Sequence, residues 1–404
     1  METIKKNKSK SLNRKPACLK KVYWRKGIKG KGERQMWFKR MVMEKESPEE
    51  WGYEKIKFNL TESSVTDCDI GQLDIKINNN LLLCYGDHSG MPELRELIAR
   101  EYDGVCADQV LISTGACMAL FIAYATLLKP QDHVVIIHPN YASNIEVPKS
   151  LGCNIDLLRL HFEDNFRINL DELKKLITPK TRLVNITYPH NPTGIMISES
   201  TLRDIIKLVE ENDCYLLVDE TYRGLTFGEK LPTAVSLSPR AISVESVSKT
   251  YGIPGVRTGW LVTKDRKLKE AFLATKEQIC ICGSIVDENI TYQVLKNKDI
   301  LLANFQQRNK KRFEIIEKWI NSQDDVEWIK PQGGVVCFPR IKPEISIDTT
   351  SFYRILNEKY GTFIGPGHWF EMDDRYFRIG YGWPSEENLT KGLRNITKAI
   401  WDLK

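Results

Sequence analysis

A chain of 404 residues can bury two sizeable apolar cores, and 42% hydrophobic with 28% charged residues is the balance of an ordinary globular protein. No run approaches the eighteen or more uninterrupted apolar residues of a membrane span, and the lysine-rich start lacks the apolar stretch of a secretory signal, so membrane-spanning and secreted classes are set aside. The net charge of +6 conceals an asymmetry: residues 1–45 hold sixteen Lys and Arg against three Glu, a local +13 that leaves −7 for the remainder.

Residues 1–45 read as a basic leader, expected to be disordered or to be coding sequence upstream of the true start, because Met41 and Met43 directly precede the acidic run from Glu46 to Trp51. Charge alone makes a poor case for a nucleic-acid partner, and none is expected. Ten cysteines, from Cys18 to Cys337, show no framework spacing and suit reduced thiols in a cytoplasm. Cys280 and Cys282 lack the second pair or nearby His that zinc requires, so no metal is expected.

From about residue 90, short apolar runs alternate with helical patterns, the signature of an α/β domain. Pro92 opens a helix whose buried stripe is Leu94, Leu97 and Ile98. Strands are predicted at Val110–Ser113, His133–His138, Asn154–Leu160, Arg182–Tyr188, Tyr215–Asp219, Ala241–Val247 and Gly259–Val262. Helices are predicted over Ala116–Leu128 and near 170–177 and 199–211. Several strands are apolar throughout, as strands covered on both faces are. The expected domains are a large one over 91–289 and a smaller α+β one from 46–90 with 290–404.

The turn Ser113-Thr114-Gly115-Ala116-Cys117 joins a strand to a helix, and its amides suit a phosphate at the positive end of the helix dipole, although such turns are commonly only tight turns. Asp219 ends the strand Tyr215–Asp219, where a carboxylate either caps a helix or pairs with a cationic ring nitrogen; Tyr222 lies three residues on. Lys249 lies at the end of a strand, flanked by Ser246, Ser248 and Arg257; desolvation and nearby cations would make it a usable nucleophile and base. Arg257 and Ser246 suit phosphate oxygens.

The chain resembles the class I, fold-type I pyridoxal-phosphate aminotransferases, the aspartate aminotransferase superfamily, over about residues 55–400. The resemblance rests on Tyr85 with Gly90, Thr114-Gly115-Ala116, Pro139-Asn140-Tyr141, and His190-Asn191-Pro192-Thr193-Gly194. It continues in Asp219-Glu220-x-Tyr222, Ser246-x-x-Lys249 with Arg257, and Phe377-Arg378-Ile379-Gly380. Seven motifs in the family's order reinforce one another. The resemblance implies an α/β fold with a mostly parallel seven-stranded sheet and pyridoxal 5′-phosphate as cofactor. It implies an amino acid and a 2-oxo acid as substrates of a ping-pong reaction, and a homodimer with active sites at the interface.

By the same resemblance Lys249 is the Schiff-base lysine and proton shuttle, Asp219 the partner of the pyridine nitrogen, and Tyr141 a stacking ring. Asn191 and Tyr222 would bind the 3′-oxygen. Gly115, Ala116, Cys117, Ser246 and Arg257 would hold the phosphate, with Tyr85 reaching that of the neighbouring subunit. Arg378 would clamp the substrate α-carboxylate, while His190 reads as a packed neighbour. Tyr85 and Tyr141 also suit core aromatics.

One stretch departs from the family pattern: Phe58-Asn59-Leu60-Thr61-Glu62-Ser63-Ser64 stands where relatives carry a glycine-containing loop near the substrate carboxylate. Glu62 there favours a substrate with a distal cation such as a guanidinium, and the Asn-Leu-x-Glu-Ser run resembles capreomycidine synthases. A lyase or cyclase acting on an arginine-like amino acid is therefore the alternative enzyme. A regulator that couples an aminotransferase-like sensor to a DNA-binding domain is disfavoured, because residues 1–50 are too short and too rich in glycine and lysine for such a domain.

Overall fold

The protein is seen as a computed structural model that describes residues 37–228 and 230–404. The chain enters through two one-turn helices, α1 (Val42–Lys45) and α2 (Pro48–Trp51), and a short strand, β1 (Phe58–Asn59). Pro48 opens α2 at its first position, where a missing N–H is harmless. Residues 1–36 of the expected leader lie outside the described residues. The stretch 37–45 corrects its boundary, because Met43 is buried in a core shared with Trp369 and Phe370, and the Phe38 ring sits 6.1 Å from that of Phe121. Met43 gives this basic stretch an apolar side chain to bury, which its charge had obscured.

The middle of the chain alternates helices and strands: α3 (Pro92–Ala99), β2 (Val110–Ser113), α4 (Gly115–Leu127), β3 (His133–His138), α5 (Ala142–Ser150) and β4 (Asn154–Arg159). There follow α6 (Leu170–Leu176), β5 (Thr181–Thr187), α7 (Glu199–Glu211), β6 (Tyr215–Asp219), α8 (Ala234–Leu237), β7 (Ala241–Ser246), α9 (Val247–Thr250) and β8 (Gly259–Thr263). Strands β2 to β8 form one seven-stranded sheet in the order β2-β8-β7-β6-β5-β3-β4. The pairs among β3 to β7 are parallel, and β8 runs antiparallel to both of its neighbours. The expected α/β architecture is the one observed. Apolar clusters cover both faces: Val135, Val184 and Leu216 belong to one, Ile136, Leu183 and Leu217 to the other.

Two local differences have physical causes. Helix α5 escaped the sequence pattern because its buried residues include Ser143 and Asn144, and Pro148 interrupts it. Its first turn is held by polar bonds, with Tyr124 Oη donating to Asn144 Oδ1 at 2.9 Å and Asn144 Nδ2 to Asn140 Oδ1 at 3.0 Å. Lys249 does not end a strand; β7 stops at Ser246 and Lys249 lies in the single turn α9.

Beyond the sheet come the long helices α10 (Arg266–Cys280), α11 (Ile285–Lys296) and α12 (Lys298–Asn321), with Asp265 and Ser284 capping α10 and α11 through their side chains. Strands β9 (Val326–Glu327), β10 (Val336–Cys337) and β11 (Arg340–Ile341) precede α13 (Thr349–Arg354). Last come β12 (Thr362–Phe363), β13 (Gly365–Pro366), β14 (Phe377–Gly380) and α14 (Glu386–Trp401). β14 pairs antiparallel with β10 and β13, and β1 pairs parallel with β12. Leu60 and Val65 share a core with Ile316, Phe352, Phe377 and Leu393. No helix among the described residues is long and apolar enough to cross a membrane.

Two contacts fix the incoming segment. Gly380 N–H donates to the Leu60 carbonyl at 2.8 Å, and a Cβ at residue 380 would overlap the Glu62 carbonyl. Glu46 Oε2 accepts from Trp369 Nε1 at 2.7 Å and meets His368 Nε2 at 2.8 Å, while His368 Nδ1 lies 2.8 Å from Asp374 Oδ1. The hydrogen bond with Asp374, aided by Glu46 and opposed by partial burial, pushes the His368 imidazole up to about 9.

Gly380→Ala is expected to cost about 1–3 kcal/mol through overpacking, read as a lower urea midpoint at unchanged slope. Because the folded His368 value lies above the ordinary 6.5 of the free side chain, its contribution is complete below that value and fades as pH rises through about 9. Hydrogen-exchange protection of residues 42–50, corrected for intrinsic rates, should fall over that window in the wild type. In His368→Gln the pH dependence should disappear.

Candidate active site

Ligands bind α/β sheets beyond the carboxyl ends of the strands, where the winding reverses. Here β4 lies on one side of β3 and β5 on the other, so the reversal falls between β3 and β5. A cavity of about 240 Å³ opens there, lined by Tyr141 after β3, Thr187 and Asn191 from β5 and its loop, Asp219 at the end of β6, and Ser246 at the end of β7.

One end of the cavity is built for an anion. Gly115 opens α4 at φ +80°, and a Cβ there would stand 2.6 Å from Arg257 Nη2. A Cβ at Gly259 would stand 2.5 Å from the carbonyl carbon of Gly115, so two glycines let β8 and Arg257 close on the first turn of a thirteen-residue helix. The first turn leaves its N–H groups without partners inside the helix, and Ala116 and Cys117 line the cavity. Arg257 is held by Nη1 bonds to the Pro254 carbonyl at 2.7 Å and Ser248 Oγ at 3.4 Å, beside Ser246. A phosphate dianion suits this set of donors.

The cavity also carries a buried carboxylate, Asp219. Asp219 Oδ1 accepts from Thr221 N at 3.1 Å and Thr221 Oγ1 at 2.5 Å. Burial pushes the Asp219 carboxyl above its ordinary value, against the hydrogen bonds from Thr221 and Asn144. A cationic ring nitrogen would supply the charge such a group lacks. The same cavity is lined by Lys249 on α9, whose own carbonyl accepts from Val65 N at 3.0 Å, and by Tyr222 and Asn191. Tyr141 packs against the core with its hydroxyl 3.4 Å from Cys117 Sγ, and burial raises its phenol.

Arg378 on β14 closes the cavity from the other side. It is 4% exposed, with Nη1 donating to Asn191 Oδ1 at 3.0 Å and Nη2 to the Thr61 carbonyl at 2.8 Å. Among the described residues its Nε–H is buried without a partner. Anion cradle, buried carboxylate, amine and aromatic face together fit pyridoxal 5′-phosphate.

Of the residues expected from the sequence, Lys249, Asp219, Tyr222, Ala116, Cys117, Tyr141, Asn191, Ser246, Arg257, Arg378 and Glu62 all line this cavity. Gly115 lies at its rim, as the backbone that admits Arg257. Tyr85 is 78% exposed and does not line the cavity of its own chain, which corrects the reading of it as a core aromatic. His190 is buried with Nδ1 2.7 Å from Thr193 Oγ1 and Nε2 2.8 Å from the Pro139 carbonyl; burial pushes it down to about 4, a neutral packing residue.

Sequence reasoning missed Glu44, Ser47 and Glu49, all of which line the cavity from the segment set aside as leader or start. The Ser-Pro-Glu-Glu run at 47–50 is a helix-start pattern and was the available signal. Tyr53 Oη lies 3.0 Å from Glu49 Oε1 and 3.0 Å from Glu62 Oε1, and Glu62 Oε1 also accepts from Asn59 Nδ2 at 3.2 Å.

Residues 70–396 match the family model for aminotransferase class I and II. The chain is 26% identical over 344 residues to capreomycidine synthase of Streptomyces vinaceus, covering 85% of this chain and 87% of that protein. It is 27% identical over 328 residues to an aspartate aminotransferase of Pyrococcus horikoshii, covering 78% and 83%. Among solved structures, a pyridoxal-phosphate-dependent aminotransferase from Streptococcus suis superposes with a TM-score of 0.80 at 25% identity, covering 88% of this chain and 97% of that one. With its cavity furnished for that cofactor and most of its length matched by the family, this chain belongs to the class I and II aminotransferases, enzymes that work with pyridoxal 5′-phosphate.

Proposed function

We propose that the protein transfers an amino group from an amino acid to a 2-oxo acid in two half-reactions, with Lys249 as the covalent anchor of the cofactor and the base at the substrate Cα. The observation that carries this reading is the common cavity: Lys249, the anion cradle at Ala116, Cys117, Ser246 and Arg257, and the buried Asp219 carboxylate all line it. When bound, pyridoxal 5′-phosphate supplies an aldehyde for amines and a ring that delocalises the electron pair left at Cα.

The chain's own groups do the rest. Ala116 and Cys117 amides, the Ser246 hydroxyl and Arg257 bind the phosphate, with Gly115 providing the close approach. Asp219 pairs with the ring nitrogen and keeps it protonated. Asn191 and Tyr222 hydrogen-bond the 3′-oxygen, and Tyr141 covers one ring face. Arg378 orients the substrate by its α-carboxylate, held for that task by Asn191 and the Thr61 carbonyl. Lys249 Nζ takes the Cα proton and returns it, so one residue serves as base and then acid.

In this reading the protein works as a homodimer in the cytoplasm, with Tyr85 of each subunit reaching the phosphate site of the other. Support comes from the exposed run Leu82, Leu83 and Tyr85, an apolar surface of the kind that packs against a partner, and from cysteines that are free throughout the described residues. The similarity to capreomycidine synthase favours a second reading, elimination or cyclisation on the same cofactor.

Donor alone should convert bound cofactor to pyridoxamine phosphate if the protein transaminates; loss of a Cβ substituent with the aldehyde form regenerated would support the second reading. Lys249→Ala should lower turnover by more than roughly a thousandfold. Mass spectrometry after borohydride reduction should then find no cofactor attached to the chain; attachment persisting elsewhere would refute the assignment of Lys249.

A further inference from the structure

We propose that the buried pair Tyr188 and Glu220 are positioning residues of the reaction, a clamp that sets Asn191 and Tyr222 against the 3′-oxygen of the cofactor. This rests on the reading of Asn191 and Tyr222 as ligands of that oxygen and adds the pair that aims them.

Neither Tyr188 nor Glu220 lines the cavity, yet each adjoins residues that do: Thr187 precedes Tyr188, and Asp219 and Thr221 flank Glu220. Both are out of water, Tyr188 at 1% exposure and Glu220 at 0%. The Tyr188 N–H donates to the Asp219 carbonyl at 3.1 Å, and its hydroxyl donates to Glu220 Oε1 at 2.9 Å. One tyrosine thus fastens the loop after β5 to the turn after β6 at two successive residues. Among the described residues its phenol makes the only side-chain hydrogen bond between 188–194 and 219–223. Asn191 lies three residues beyond Tyr188, and Tyr222 lies two beyond Glu220.

The turn that carries Tyr222 is tied to the sheet by other groups. Glu220 N–H donates to the Val244 carbonyl at 2.8 Å, and Thr250 Oγ1, next to Lys249, donates to the Thr221 carbonyl at 2.9 Å. Arg223 Nε donates to Glu245 Oε1 at 2.6 Å, and the same oxygen accepts from Tyr102 Oη at 3.0 Å. His190 fastens the Asn191 loop to Pro139 and Thr193, bonds that do not reach the Tyr222 turn. Burial pushes the Glu220 carboxyl up to about 7, against the Arg223 charge. Among the described residues Oε2 has no partner and can carry the proton, so Oε1 accepts from Tyr188 in either state. The bond acts through geometry. Leaving a buried phenol or carboxyl unpaired is unfavourable, so the pair holds a single arrangement.

The test reads the holoenzyme without substrate, by the pH midpoint of the visible absorbance of its bound cofactor. Hydrogen bonds to the 3′-oxygen favour its anion and lower that midpoint. Tyr188→Phe and Glu220→Leu should each raise it by about 0.5–1 pH unit, the partial loss of bonds to a charged oxygen. Glu220→Gln keeps an acceptor of the same size and should hold the wild-type midpoint. The Tyr188→Phe/Glu220→Leu double variant removes both polar partners together, which spares the fold, and should shift the midpoint no further than either single change. An unmoved midpoint in the double variant, or a shift in Glu220→Gln as large as in Glu220→Leu, overturns the clamp. Tyr222→Phe separates this proposal from the reading beneath it. A shift there with none in the clamp variants sinks the clamp and keeps Tyr222 on the oxygen. A shift in the clamp variants alone keeps the clamp, acting through Asn191, and removes Tyr222 from that role.

Discussion

Arg378 reaches from β14 into the cavity with its guanidinium almost wholly out of water, and each of its protein partners comes from a different part of the chain. Asn191 follows β5 of the large sheet, and Thr61 follows β1 near the N-terminal end of the described residues. A charge moved into protein costs several kcal/mol unless it is paired and hydrogen-bonded. Two neutral acceptors meet part of that need and leave Nε–H without a partner. The fold therefore holds this guanidinium at the junction of three segments, within reach of the Glu62 and Glu44 charges.

The same economy governs the other end. Closing β8 and Arg257 on the first turn of α4 requires that residues 115 and 259 lack a Cβ, since a methyl at either would meet the guanidinium or the opposing backbone. The result gathers free helix N–H groups, two serine hydroxyls and an arginine around one small volume. Asp219, pushed up by burial at the far side, waits for a cation. Cradle, carboxylate and Lys249 line one cavity.

Residues 41–62 complete the cavity. Met43 anchors this segment in the core beside Trp369, Glu46 ties it to His368, and Glu49 and Glu62 bring carboxylates to the mouth. The contacts that dock this segment are thus the ones that bring its acids into the cavity lining.

Much of this was legible without coordinates. Strands covered on both faces announce themselves as apolar runs, and the β2–α4 turn, Asp219, Lys249, Arg257 and Arg378 stand out by chemical type and by their order along the chain. Helix α5 was not legible, because its buried face mixes Ser143 and Asn144 with Ile145 and Pro148, and its first turn is held by polar bonds among Asn140, Asn144 and Tyr124. The packing of residues 37–45 was hidden by their basic charge. Nor did the local pattern reveal that Glu49 shares a cavity with Lys249, two hundred residues away. Periodicity and turn chemistry record what each short segment buries, and so the sequence by itself determined the elements and the chemical groups they carry. Which of those groups face one another was decided by strand order, the antiparallel β8 and the docking of the first segment, because contacts between distant residues depend on sheet register and crossover that no local pattern encodes.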